Sequence, residues 1–191
     1  MRFTEQEIKD LVISAIVIGF IFAWVERGYF ARVNFFNIFV IMLIAVGTAF
    51  IFHELSHKYV AQRYGCIAYY RMWEMGLIIA FFLAVTIGVI FAAPGAVYIH
   101  PLYYSVSRKE SAYIAMAGPL ANIALAFIFL PLKALGGALG LLGYIGFMIN
   151  TWLALFNLLP FPPLDGSKII AWDVKAWAAL ALFAFILMVI G

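Results

Sequence analysis

The sequence predicts an all-α polytopic membrane protein, with about five to six transmembrane helices plus a re-entrant, partly β hairpin segment. Three observations carry this. Hydrophobic residues make up 67% of the 191 and charged ones only 11%, with a mean hydropathy of +1.08, where a soluble domain is about half apolar and a quarter charged. The apolar residues fall in runs of spanning length separated by short polar stretches. The Lys and Arg residues, finally, are unevenly shared between the two faces that those runs define.

Residues 1–10 mix charges of both signs, unlike the basic start of a cleavable signal peptide, so the first apolar run, residues 11–25, is expected to stay as a span. The second span runs from about 36 to 64, with Gly65 as its stop. Lys58 and Arg63 in its last turns are expected where the helix leaves the membrane. Residues 76–99 are long enough to cross, but Gly88, Pro94 and Gly95 interrupt them. Their second half, from Phe91 to Ile99, sets β-branched and aromatic residues around a Pro-Gly turn signal. A span at about 111–130 follows, rich in small residues (Ala115, Ala117, Gly118, Ala121) that let helices approach closely. The next runs from about 135 to 159, and a last one from about 176 to 190. No soluble module is read, so the expectation is one integral-membrane domain over 1–191.

Two arguments decide between a crossing and a re-entrant path for residues 76–99. On the re-entrant path, the face holding the N-terminus collects nine of the twelve Lys and Arg residues, and the other face holds Arg27, Arg32 and Lys133. On the crossing path the division is six against six. The positive-inside rule favours re-entry, with the N-terminal face cytoplasmic. Re-entry also brings Asp165 to the face of the histidines described next, whereas crossing leaves it across a core of about 30 Å. The net charge of +3 reflects these basic loops, so no nucleic-acid partner is expected. A lone cysteine, Cys66, excludes an intrachain disulfide.

The chemistry is concentrated in His53-Glu54-Leu55-Ser56-His57, in the last third of the second span. Ionisable groups at that depth are costly and mark function. Positions i and i+4 share a helix face, so His53 and His57 can reach one metal ion, and Glu54, about 100° round the helix, can serve as general base. A catalytic zinc keeps three protein ligands and an open position. The candidates for the third are Asp165, Glu74, His100 and Glu110. Asp165 is preferred, because Pro160, Pro162 and Pro163 break the helix before it and Gly166 follows. Irregular backbone at membrane depth is tolerated where it lines a cavity.

These parts together resemble the site-2 protease family of intramembrane zinc metalloproteases (peptidase family M50), in a small form without PDZ or CBS domains. The matching segments are His53-Glu54-x-x-His57, Gly118-Pro119-x-x-Asn122 and Asn157-x-x-Pro160-x-x-Pro163-x-Asp165-Gly166, so the likeness covers residues 36–170. The resemblance implies one Zn2+ per chain held by His53, His57 and Asp165, with Glu54 as general base. It also implies that Asn157 sits at the catalytic cleft, holding substrate or oxyanion. Asn122 carries a weaker signal, for which a plain interhelical hydrogen bond serves as well. Phe91 to Ile99 resembles the family's membrane-embedded β-hairpin, whose edge can pair with unwound substrate. The expected function is hydrolysis of peptide bonds within, or near the cytoplasmic end of, transmembrane segments of substrate proteins. The setting is a multi-pass protein of the cell membrane, in the lipid bilayer, with its active site towards the cytoplasm. Two other readings stand beside it: a membrane metal-ion transporter, which would show internal repeats and ligands along a path, and a proteolytically inactive scaffold of the same fold.

Overall fold

The computed structural model describes residues 1–90, 94–102 and 105–191. In chain order it forms α1 (Glu5–Glu26), α2 (Phe35–Arg63), β1 (Cys66–Met72), α3 (Glu74–Ile87), β2 (Gly95–Pro101), α4 (Arg108–Phe129), a 3-10 turn (Leu130–Ala134), α5 (Gly137–Asn157), α6 (Asp165–Trp172) and α7 (Val174–Ile190). Side-chain caps start the helices where orphan amides need partners. Thr4 accepts from Glu7 N, Asn34 from Phe36 N, and Asp173 from the first turn of α7. Ser107 and Glu110 form a reciprocal capping box on α4.

Among the described residues, four helices are long and apolar enough to cross a membrane: α1, α2, α4 with the 3-10 turn, and α5. The expected last span is a 17-residue apolar helix, α7. The protein is thus mostly α-helical and polytopic, with one two-stranded sheet among the described residues. One core cluster joins α1, α2 and β1, through residues such as Ile38, Met42, Val46, Phe50 and Tyr70. A second joins α4, α5, α6 and α7 around Phe129, Phe147, Leu158 and Ile169. Helix α2 packs on both sides, against α1 and against α4 and α5, so its histidine face lies between the two clusters.

The sheet corrects the expected hairpin in one respect. Pro94-Gly95 is not its turn: Gly95 begins β2, which pairs antiparallel with the earlier segment β1, from Cys66↔Pro101 to Met72↔Gly95. A turn signal in sequence marks a local bend without saying which segments pair, and here a 14-residue helix, α3, intervenes. At about 1.5 Å per residue α3 is about 21 Å long, short of a 30 Å core. The excursion returns to where it began. Trp73 N donates to Pro94 O at 2.9 Å, and Tyr70 OH donates to the same carbonyl at 2.9 Å. Burial pushes the Tyr70 phenol well above its ordinary pKa, so it remains a donor. Residues 91–93, part of the expected hairpin, lie outside the described residues. Gly95 is required where it stands: its φ is +146°, and a Cβ there would collide with Arg71 O.

Lys58 also departs from expectation. Its side chain does not point outward from the helix end but is buried, with Nζ donating at 2.6 Å to both carboxylate oxygens of Glu7 and at 2.7 Å to Arg2 O. Glu7 accepts Tyr70 N as well, at 3.0 Å. This buried charge is therefore paired and fully hydrogen-bonded, as burial demands, and it ties α1 to α2 and to β1.

Candidate metal centre

His53 and His57 lie one turn apart on α2, and Asp165 is the first residue of α6, a short helix between the spans expected at about 135–159 and 176–190. The seven residues from Leu158 to Leu164, with three of the chain's prolines, bring the carboxylate back towards α2. Their non-helical path is the one expected from sequence. The three side chains converge. Asp165 Oδ2 lies 3.3 Å from His53 Nε2 and 3.1 Å from His57 Nε2, and the two Nε2 atoms are 3.0 Å apart. All three residues are buried, and they form the metal-competent cluster found among the described residues.

The far side of each imidazole fixes its tautomer. Ile114 O can only accept, so His57 Nδ1–H donates to it, at 2.7 Å. Asn122 donates its amide nitrogen to Ala49 O and Asn150 Oδ1, both at 3.0 Å, which turns its oxygen towards His53 Nδ1 at 2.7 Å. His53 Nδ1–H therefore donates too. In the neutral imidazoles that a metal requires, both Nε2 atoms then carry lone pairs, and these face each other and a carboxylate inside a buried pocket. Such a set repels itself unless a cation sits between its members.

The spacing fits that cation. Tetrahedral ligands at about 2.0–2.1 Å from zinc lie roughly 3.3 Å from one another, close to the three distances found. Two imidazoles and one carboxylate are also a donor set of catalytic zinc sites, and outer partners such as Asn122 and Ile114 O are what hold ligating histidines in the needed tautomer. Space is kept for it by Gly118 on α4, since a Cβ there would lie 2.5 Å from the Nε2 atoms of both histidines.

Around the cluster opens a cavity of about 460 Å³, lined by Glu54, Pro94, Gly95, Val97, Ile99, Trp152, Phe156, Asn157 and Lys168, among others. Glu54 reaches β2, with Oε2 accepting Val97 N at 3.1 Å. Asn157 lines the cavity at the C-terminal end of α5, but its amide donates to Leu153 O at 3.0 Å and is not brought onto the three ligands. Lys168 Nζ stands 3.9 Å from Asp165 Oδ1. The remaining sequence candidates are engaged elsewhere. Glu110 closes the α4 capping box, His100 stacks on Tyr69 with ring centroids 5.9 Å apart, and Glu74 opens α3. Sequence reasoning missed Asn150, visible only as a polar residue in an apolar run, and the backbone groups of Val97 and Ile114, which no side-chain pattern can reveal.

Comparison with known proteins points the same way as the donor set. The chain is 45% identical over 184 residues to "Putative zinc metalloprotease MJ0611" of Methanocaldococcus jannaschii, covering 95% of this chain and 92% of the relative. It is 30% identical over 146 residues to "Putative zinc metalloprotease YwhC" of Bacillus subtilis, covering 68% and 67%. It is 28% identical over 176 residues to "Putative zinc metalloprotease Rip2" of Mycolicibacterium smegmatis, covering 82% and 66%. No protein-family model and no solved structure matches the chain.

Proposed function

The chain belongs to the zinc metalloprotease family of these relatives, and from that premise we propose that it is an intramembrane endopeptidase of the site-2 protease type that its motifs resemble. It hydrolyses peptide bonds within or near the cytoplasmic end of a substrate's transmembrane segment. The observation that carries this reading is the convergence of His53, His57 and Asp165, all buried, beside the Glu54 carboxylate in a cavity reached by a sheet edge. A metal site built only for structure would be closed, whereas this one opens onto a cavity large enough to take a stretch of peptide.

In this reading His53 Nε2, His57 Nε2 and Asp165 hold the zinc. When bound, zinc supplies a Lewis acid that makes water acidic near neutral pH and polarises a carbonyl oxygen. The chain's own groups do the rest. Glu54, next to His53 on α2, takes a proton from the attacking water on a carboxylate oxygen. It delivers that proton to the amide nitrogen as the C–N bond breaks, so that water ends as one new carboxyl and one new amine. Asn157, released from Leu153 O, donates its amide to the carbonyl oxygen under attack. The outer edge of β2 receives the substrate, whose own helical hydrogen bonds must open before its carbonyl can be reached, and edge pairing replaces them.

The orientation follows from charge. With Lys58 buried against Glu7 it takes no part in the membrane-face tally, and eight basic residues then stand against Arg27, Arg32 and Lys133. The histidines lie in the C-terminal half of α2, on the more basic side, so this reading puts the site in the cytoplasmic half of the bilayer in a multi-pass protein of the cell membrane.

The test is incubation of the zinc-loaded protein, reconstituted in lipid, with single-span candidate substrates, with and without a zinc chelator. Cleavage inside the span that stops on chelation and returns with added zinc is the expected result. Cleavage indifferent to the chelator contradicts the reading.

A further inference from the structure

The sheet has two outer edges, and each has a backbone amide held by a carboxylate. In the antiparallel pair, outward-facing backbone groups alternate with those paired across the ladder. Tyr70 N points outward to Glu7 Oε1 and Met72 N to Asp10 Oδ2, at 3.0 and 3.4 Å, so β1's free edge is closed by two carboxylates of α1. The partners of Tyr70, Met72 and Ala68 in the register are Val97, Gly95 and Ile99. Those three residues therefore turn their backbone groups to the outer edge of β2, and all three line the cavity beside the metal cluster. Val97 N–H is the amide there that Glu54 Oε2 accepts.

We infer that Val97 N–H is a positioning group shared between the base and the substrate: a substrate strand that adds to β2 takes this hydrogen bond from Glu54, and seating the substrate thereby releases the carboxylate to act. This rests on the proposed protease reading and adds to it the order of events at the base. The edge is spaced for one strand, since Gly95, Val97 and Ile99 recur every second residue. A carbonyl of an added strand opposite Val97 needs the donor that Glu54 now holds, and a single N–H aimed at one acceptor is not shared equally with a second. The exchange has a use: without substrate the Glu54 carboxylate is held against the sheet, and it becomes free when a peptide occupies the edge. Each half of the exchange satisfies the same half-buried amide, which would otherwise lose its partner.

The inference predicts a direction that a merely structural Glu54–Val97 bond does not. Substrate and Glu54 compete for one donor, so removing the carboxylate strengthens binding. The measurement uses protein kept zinc-free by a chelator in lipid bicelles, where nothing is cleaved. The probe is a synthetic single-span Leu/Ala peptide with a Gly-Ser-Gly break near one end, carrying a fluorophore. Glu54→Ala is expected to bind it roughly tenfold more tightly than wild type, and Glu54→Gln, which keeps an acceptor, to fall between the two. Amide hydrogen exchange gives a second readout. Val97 N–H is expected to be protected in wild type, to exchange roughly tenfold faster or more in Glu54→Ala, and to be protected again when the peptide is added. Equal or weaker binding by Glu54→Ala, or a Val97 amide that stays exposed with peptide bound, overturns the exchange even if the zinc-loaded wild type cleaves the probe. Failure of the probe both to bind the zinc-free protein and to be cleaved by the zinc-loaded one overturns the protease reading itself, and the exchange with it.

Discussion

Glu54→Gln protein is expected to keep its zinc and to lose cleavage of a single-span substrate by about 10²–10⁴-fold, the range that a positioned general base contributes. The side chain is isosteric and still offers an oxygen to Val97 N, so the bond to β2 at 3.1 Å has a partner in both proteins. What changes is the capacity to take a proton from water, which a carboxamide lacks. None of the three metal ligands is touched, and zinc stoichiometry should match wild type. The two quantities must therefore separate in the same preparation, zinc content unchanged and rate collapsed. Cleavage by the variant at wild-type rate with zinc in place assigns the proton transfer to another group and removes Glu54 from its role.

The second large effect is expected at Gly118, which the sequence marks only as one small residue among several on a crowded helix. Alanine stabilises a helix interior relative to glycine by up to about 1 kcal/mol, so a purely helical view predicts a neutral or firmer protein. The structure predicts the opposite for function. The added methyl carbon would stand 2.5 Å from His53 Nε2 and His57 Nε2, inside the space that the metal needs. Neither ring can swing aside without giving up its anchor, His53 its bond to Asn122 and His57 its bond to Ile114 O, both 2.7 Å. Gly118→Ala should thus remain folded, with helix content and thermal midpoint near wild type, while zinc affinity falls roughly 100-fold or more, at or beyond the upper end of what loss of a ligand-orienting partner costs. Titration of the purified protein against a chromophoric zinc chelator reads this directly. Wild-type affinity in the variant means that the rings are not confined as described.

The part of the site that was legible in the sequence is the part written in side chains at regular spacing. His53 and His57 could be paired because four positions along a helix is one turn, and Asp165 because prolines at 160, 162 and 163 forbid the helix to run on past it. The membrane spans were legible for the same reason, since length and apolarity are local properties. What escaped was settled by contacts between distant segments. Cys66–Met72 alternates buried and exposed positions as a strand should, but it follows directly on α2, and nothing local names Gly95–Pro101 as its partner across the intervening α3. The sequence marks Lys58 as an exit residue because a basic side chain near a helix end usually is one, and the approach of Glu7 makes its burial possible. Asn122, whose part sequence reading left open, became specific once α4 set its oxygen against His53 and Asn150 took its amide.

The central claim is that His53, His57 and Asp165 hold one zinc ion, and X-ray absorption at the zinc edge of the loaded, membrane-reconstituted protein tests it most directly. The expected first shell contains nitrogen and oxygen donors at about 2.0–2.1 Å, with the outer scattering of two imidazole rings, and Asp165→Ala should weaken or abolish zinc binding. A sulfur donor at about 2.3 Å, which only Cys66 or a methionine could supply, or a spectrum and affinity left unchanged by Asp165→Ala, would contradict it.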